Sequence, residues 1–174
     1  YGDYSSWDSP AHKKANLDSV KNQLQLFGFK LLLNEKVNLL RDTDTLELLG
    51  VENWGKPPFP RYGNLTKTLA DTKKGHPKIL LSHDPSHWHG EILQHPDIAL
   101  TLSGHTHAAQ LAFNWYGKKV SPSSWMYPEW DGLYSENDQF LYINRGLGFI
   151  GIPVRIGIAR PEITVLTLTG TDSE

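Results

Sequence analysis

Apolar positions recur at helical spacing near the start of the chain and in short, strand-like runs almost everywhere else. Leu17, Val20, Leu24 and Phe27 fall on one side of a helix. Ser9-Pro10 offers an N-cap followed by proline at the first helical position, and Gly28 stands where a C-terminal cap belongs. The pattern predicts an amphipathic helix over 10–27. Phe29–Leu33 and Val37–Leu40 are apolar runs split by Asn34-Glu35, which predicts a hairpin. Thr45–Val51 is a further strand after a turn at Asp42–Asp44. Three prolines between Gly55 and Pro60 remove backbone donors and fix φ, so that stretch should be a surface loop. A short helix is expected over Leu65–Ala70.

The next stretch changes character. Lys78–Leu81 is a compact apolar strand that ends in Ser82-His83-Asp84-Pro85. Ser86–Gln94 suits a short helix. Ile98–Leu102 is a second strand, and it ends in Ser103-Gly104-His105-Thr106-His107. Strand, helix and strand at this spacing form a βαβ unit with the two strands parallel. Open α/β sheets place their ligands at the carboxyl ends of such strands, where these polar residues fall. Beyond them, Gln110–Phe113, Gln139–Asn144, Arg155–Ala159 and Ile163–Leu168 read as strands without long helices between, which predicts a mostly antiparallel region. The loop 114–134 is rich in aromatic residues (Trp115, Tyr116, Trp125, Tyr127, Trp130, Tyr134). It reads as a cover over a sheet edge, with a substrate wall as the alternative. The fold class is therefore α/β, and 1–174 reads as part of a single domain.

Composition narrows the chemistry more than the fold. Apolar residues make up 39% of the 174 positions and charged residues 21%, the proportions of an ordinary folded domain. Net charge is -2, and the densest basic pairs (Lys13-Lys14, Lys73-Lys74, Lys118-Lys119) are scattered, so no nucleic-acid patch is expected. There is no cysteine, which excludes thiolate metal sites and disulfides. Any metal must be held by imidazole, carboxylate, amide or backbone oxygen.

Three of the eight histidines form a pattern. His83 follows one strand of the βαβ unit; His105 and His107 follow the other. In extended chain, residues i and i+2 point the same way, so His105 and His107 can face one site together or serve two adjacent ions. Gly104 lets the backbone turn sharply out of its strand. Neutral imidazoles suit ions of the Mn, Fe or Zn type. Taken singly, each histidine would more simply be a core or surface residue bonded to backbone.

Ser82-His83-Asp84-Pro85 followed by Ser103-Gly104-His105-Thr106-His107-Ala108-Ala109-Gln110 resembles the last two motifs of the calcineurin-like metallophosphoesterases. Asn144-Arg145-Gly146-Leu147-Gly148, Pro153-Val154-Arg155-Ile156 and Arg160-Pro161-Glu162-Ile163 are similar to the C-terminal signature of the membrane-associated, YkuE/YaeI-type subgroup. Ala108-Ala109-Gln110 stands where that family has Gly-Gly-Gln. Tyr1-Gly2 resembles the residues directly after the family's Gly-Asn-His-Asp motif; that motif, Asp-x-His and Gly-Asp-x-x-Asp are not in the chain. The resemblance implies the C-terminal half of a four-layer α/β/β/α sandwich. It implies two divalent ions, His83 and His105 on one and His107 on the other. A bridging hydroxide would attack phosphorus, with the ions about 3.5–4 Å apart. It implies hydrolysis of a phosphodiester or monoester, the substrate nucleotide- or lipid-linked, and a cell-envelope location through an upstream anchor. Gln110 and Arg145 are candidates to reach the substrate phosphate, Arg145 equally a structural ion-pair partner. No residue is singled out as catalytic. The non-enzymatic reading is an inactive truncated fragment, or a metal-binding module without turnover. Without the missing strands an apolar sheet face or edge should lie uncovered, which predicts that the chain dimerises, swaps a segment or keeps a partner.

Asp84 reads as a turn cap, with orientation of a ligand as the alternative. His87 and His89 read as exposed helix residues, with a substrate role as the alternative. A His-x-His-x-Asp-His run of metallo-β-lactamase type is not matched, because Ala109 and Gln110 occupy the places of that Asp and His.

Overall fold

The computed structural model describes residues 7–57 and 60–169; Tyr1-Gly2, and Pro58-Phe59 of the proline-rich loop, lie outside them. Helix α1, Pro10–Leu26, begins as its sequence predicts: the Ser9 hydroxyl accepts from the His12 amide, and Pro10 opens the first turn. It ends in paired bonds from the Gly28 and Phe29 amides to the Gln25 and Leu24 carbonyls. Gly28 sits at φ 85°, the left-handed cap that an L side chain would resist. No residue of α1 is fully buried.

Six strands form the main sheet: β1 (Glu35–Arg41), β2 (Asp44–Gly50), β3 (Lys78–Leu81), β4 (Ile98–Ser103), β7 (Gly132–Glu136) and β8 (Gln139–Ile143). Their spatial order is β1-β2-β3-β4-β8-β7. The inner pairs β2–β3, β3–β4 and β4–β8 are parallel, and antiparallel hairpins close both edges. A smaller sheet holds β5 (Leu111–Trp115), antiparallel to β6 (Lys118–Val120) and parallel to β9 (Ile156–Gly157). The mixed α/β class and the βαβ unit are as the sequence predicts. The later strands are antiparallel within their hairpins and parallel where β8 and β9 join older neighbours.

One face of the main sheet carries the core. Leu49, Leu80, Leu141 and Ile143 are fully buried there against Leu65 of α2 (Leu65–Leu69) and Trp88 of α3 (His87–Gly90), with Ile92 and Ile98 completing the cluster. The opposite face is barer. Leu81, Leu133 and Phe140 are exposed on it, and Leu39 and Leu40 are exposed on edge strand β1. Beneath the covered face two charges are taken out of water. Glu47 is fully buried and receives Lys36 Nζ at 2.8 Å and the Lys73 amide at 3.1 Å. Lys78 is 1% exposed and donates to the Lys73 and His76 carbonyls at 2.8 and 3.0 Å. Such burial is tolerable only because both groups are fully partnered.

Two expected strands differ. The 29–33 run does not pair with 37–40; β1 pairs with β2 instead, its Val37 opposite Leu48. Asn34 (φ 60°) is not a turn tip but a buried tie. Its amide oxygen accepts from the Glu52 and Asn64 backbone at 3.1 and 2.8 Å, and its nitrogen donates to Glu52 and to the Tyr62 carbonyl. Segment 163–168 is extended yet pairs with no strand among the described residues. Side chains hold its start: Asn144 donates to Thr164 at 2.8 Å, and Tyr142 donates to Glu162.

His87, expected at the surface, is fully buried. It stacks on Trp54 with ring centroids 4.1 Å apart, while Arg61 covers the far side of Trp54 at 3.3 Å. Ser82 Oγ lies 2.9 Å from its Nδ1 and Glu91 3.3 Å from its Nε2. Loss of water pushes His87 down to about 4, against the opposing pull of Glu91. Its folded value lies below the unfolded one near 6.5. Stability is therefore complete above about pH 6.5 and falls as pH drops toward about 4, by on the order of 3 kcal/mol. Urea unfolding at pH 7 and pH 4.5 should show this loss, and His87→Gln should flatten it.

Candidate metal centre

Three backbone and side-chain bonds fasten the tips of β3 and β4 together. The Ser82 amide donates to the Leu102 carbonyl at 3.0 Å, the Gly104 amide to the His83 carbonyl at 3.1 Å, and Ser103 Oγ to the Ser82 carbonyl at 2.7 Å. His83 and His105 consequently meet edge to face, with ring centroids 5.2 Å apart. A Cβ on Gly104 would lie 3.6 Å from His83 Nδ1, an ordinary van der Waals contact, so the ring packs close to that position. Asp84 behaves as a turn cap: its carboxylate accepts from the Ser86 amide at 2.9 Å and from the Lys56 amide at 3.2 Å.

From His105 onward the backbone is unusual. His105, His107, Ala108, Ala109 and Gln110 all have φ between 47° and 69°. That conformation is costly for L residues, and such strain concentrates where surroundings over-determine it. Here Thr106 Oγ1 donates to the Trp130 carbonyl at 2.7 Å and Ser121 Oγ to the Ala108 carbonyl at 2.8 Å. Ala108, Tyr127 and Trp130 are buried together under the segment, whereas Trp115, Tyr116 and Trp125 of the same aromatic stretch are exposed.

All three imidazoles are biased toward the neutral form. His83 is held below its ordinary value by loss of water and then by His105, with Asp84 opposing. His105 is lowered by loss of water, again against Asp84. For His107 the loss of water is followed by the charge of Arg155. Neutral rings are what a divalent transition ion takes as ligands.

The trio is not equally ready. His105 Nε2 lies 2.7 Å from the Tyr127 hydroxyl. Arg155 Nη2 lies 3.2 Å from His107 Nδ1. A guanidinium can only donate, so the His107 Nδ1 lone pair is already engaged. Among the described residues no three His, Cys, Asp or Glu side chains converge as a metal site. His83 and His105, adjacent and biased toward the neutral form, thus suit an ion in chemistry. His107 suits one in chemistry, but not while Arg155 holds its Nδ1.

The two expected phosphate contacts, Gln110 and Arg145, are bonded within the fold. Gln110 donates to the Ile152 and Val154 carbonyls at 2.9 and 3.0 Å and accepts from the Ile150 amide. Arg145 donates to Glu162 at 2.8 Å and to the Ile158 carbonyl at 2.7 Å, with Asp131 at 3.4 Å. Sequence reasoning overlooked Arg155 and Tyr127. Their distance along the chain from the histidines hides both, although Arg155 lies in the Pro153-Val154-Arg155 run already noted. His89 stays exposed and contacts Glu129 at 3.1 Å.

The chain is similar to several known proteins. Bacillus subtilis YkuE, an uncharacterized metallophosphoesterase, is 40% identical over 87% of this chain and 51% of its own length. A zebrafish transmembrane protein with a metallophosphoesterase domain is 30% identical over 96% of the chain and 38% of its own length. The Escherichia coli phosphodiesterase YaeI is 26% identical over 95% of the chain and 56% of its own length. The chain belongs to the calcineurin-like metallophosphoesterases. It spans about half the length of the curated relatives it matches, or less. No family model matches it, and no solved structure does. Membership in this family implies divalent metal ions.

Ala108 and Ala109 strain the turn, which makes a stability test direct. Ala109 is exposed at φ 47°, so Ala109→Gly should relieve the left-handed strain and stabilise the fold by up to about 1 kcal/mol in urea unfolding. Ala108 is fully buried, so Ala108→Gly should gain less because its methyl contacts are lost.

Proposed function

We propose that this chain carries the imidazole side of a metal-dependent phosphoesterase site, hydrolysing a phosphodiester or monoester, with His83, His105 and His107 as ligands to two divalent ions. The observation that carries this reading is the contact of the His83 and His105 rings at the joined tips of β3 and β4, in a chain related to metallophosphoesterases. Bound ions would supply positive charge for the phosphoryl oxygens and an ionised water as nucleophile.

The chain's own residues do the positioning. Tyr127 fixes the orientation of the His105 ring through its hydroxyl. Arg155 fixes His107 and brings a permanent cation beside it. For His107 to ligate through Nδ1, Arg155 must first release that atom, and a released guanidinium is suited to a phosphate oxygen. Gln110 acts at one remove by clamping 150–154, the backbone that leads into Arg155. A carboxylate bridge between ions is needed for two-metal hydrolysis, and it must come from beyond these three rings. The engaged His107 therefore favours a second reading for the isolated chain, a folded module that binds metal without turnover.

Hydrolysis of bis-p-nitrophenyl phosphate with added Mn²⁺ tests the enzyme. His83→Ala or His105→Ala should each lower kcat/KM at least about 100-fold, a loss of about 2.7 kcal/mol of transition-state stabilisation. Metal-dependent activity that survives removal of all three imidazoles sinks the assignment. Calorimetric Mn²⁺ binding without turnover would establish the second reading for the chain alone.

A further inference from the structure

A cavity of about 520 Å³ opens between α1 and the joined strand tips. Leu17, Val20 and Leu24 of α1 line it together with Leu31 and Leu33, and His83 and His105 belong to the same lining. The volume lies within the range of small-molecule sites. Its polar groups are largely committed. Glu52 receives the Asn34 amide at 2.8 Å, and Asn53 donates to the Pro60 carbonyl at 3.1 Å. Both Asp84 oxygens cap backbone amides. Apart from the two imidazoles, Tyr62 is the one aromatic side chain in the lining among the described residues, and it offers a nucleobase no stacking pair there. What remains is branched aliphatic surface that the core does not use, since α1 buries no residue fully. Lys21 adds a cation to the lining.

We propose that this cavity binds the alkyl chain of a phosphoester, with the phosphate end at His83 and His105 and the hydrocarbon tail along the leucines of α1. The proposal rests on the phosphoesterase reading, and it selects the lipid-like substrate over the nucleotide-like one. The continuity of the wall argues for a single occupant: a ligand held at the imidazoles by its phosphate has aliphatic surface beside it for its tail.

Binding rather than turnover tests it. Butyl, hexyl and octyl phosphate, with octyl glucoside as the uncharged partner, are titrated calorimetrically into the protein with Mn²⁺, below micelle-forming concentrations. Affinity should rise at least about tenfold from butyl to octyl phosphate, short of the roughly fourfold per methylene of complete burial. Val20→Asp and Leu24→Asp should abolish that rise, with helix content checked by circular dichroism. Equal affinity for butyl and octyl phosphate overturns the proposal, as does a rise that persists in both variants. Self-association that Leu24→Asp abolishes, with no dependence on alkyl length, assigns the cavity to polypeptide and also overturns it. Octyl glucoside matching octyl phosphate, with Leu24→Asp weakening both, upholds the alkyl site and sinks the phosphoester reading instead.

Discussion

The bonds between the ends of β3 and β4 hold the chemistry of this chain in place. Each is an ordinary hydrogen bond with a net value of about 1 kcal/mol, but they act at the last positions of parallel strands whose interiors are already fixed by Leu80 and Ile98. Parallel pairing makes both strands leave the sheet on the same side. Without it His83 and His105 would exit at opposite ends, and no side-chain choice could bring them together. Ser103 refines this arrangement by tying the Ser82 carbonyl.

Past that point the backbone is held by force rather than by preference. Five of the six residues from 105 to 110 lie in left-handed space, and none is glycine. At roughly 1–2 kcal/mol per residue the segment would relax if it were free. The bonds from Thr106, Ser121 and Gln110, together with buried Tyr127 and Trp130, oppose that relaxation. Gln110, whose amide bonds the 150–154 backbone, is one of the residues that keep the chain bent.

Much of this was legible in the residues. The capped helix and the βαβ unit rest on short-range rules that hold here; the extended geometry expected at His105 and His107 does not, because both residues take left-handed φ. Long-range ties were not legible. Asn34 looks like a turn residue, yet it is the anchor for Glu52, Tyr62 and Asn64, and the hairpin is β1–β2. His87 looks like a polar residue on a short exposed helix, until Trp54 and Ser82 cover it from distant parts of the chain. Arg145 offered equal structural and phosphate readings, and its pairing with Glu162 and Asp131 goes with the first. The resemblance to a family pointed to the imidazoles, but not to the guanidinium of Arg155 engaging one of them.

The buried ammonium of Lys78 has a practical consequence. An amine surrounded by the Lys73 and His76 carbonyls and the Glu47 carboxylate has no path to a reagent in solution. Acylating probes would modify the chain's exposed lysines while sparing this one, and its labelling would report that β3 had separated from its neighbours. The sheet that carries the histidines thus contains its own chemical gauge of integrity, readable by mass spectrometry on a single peptide.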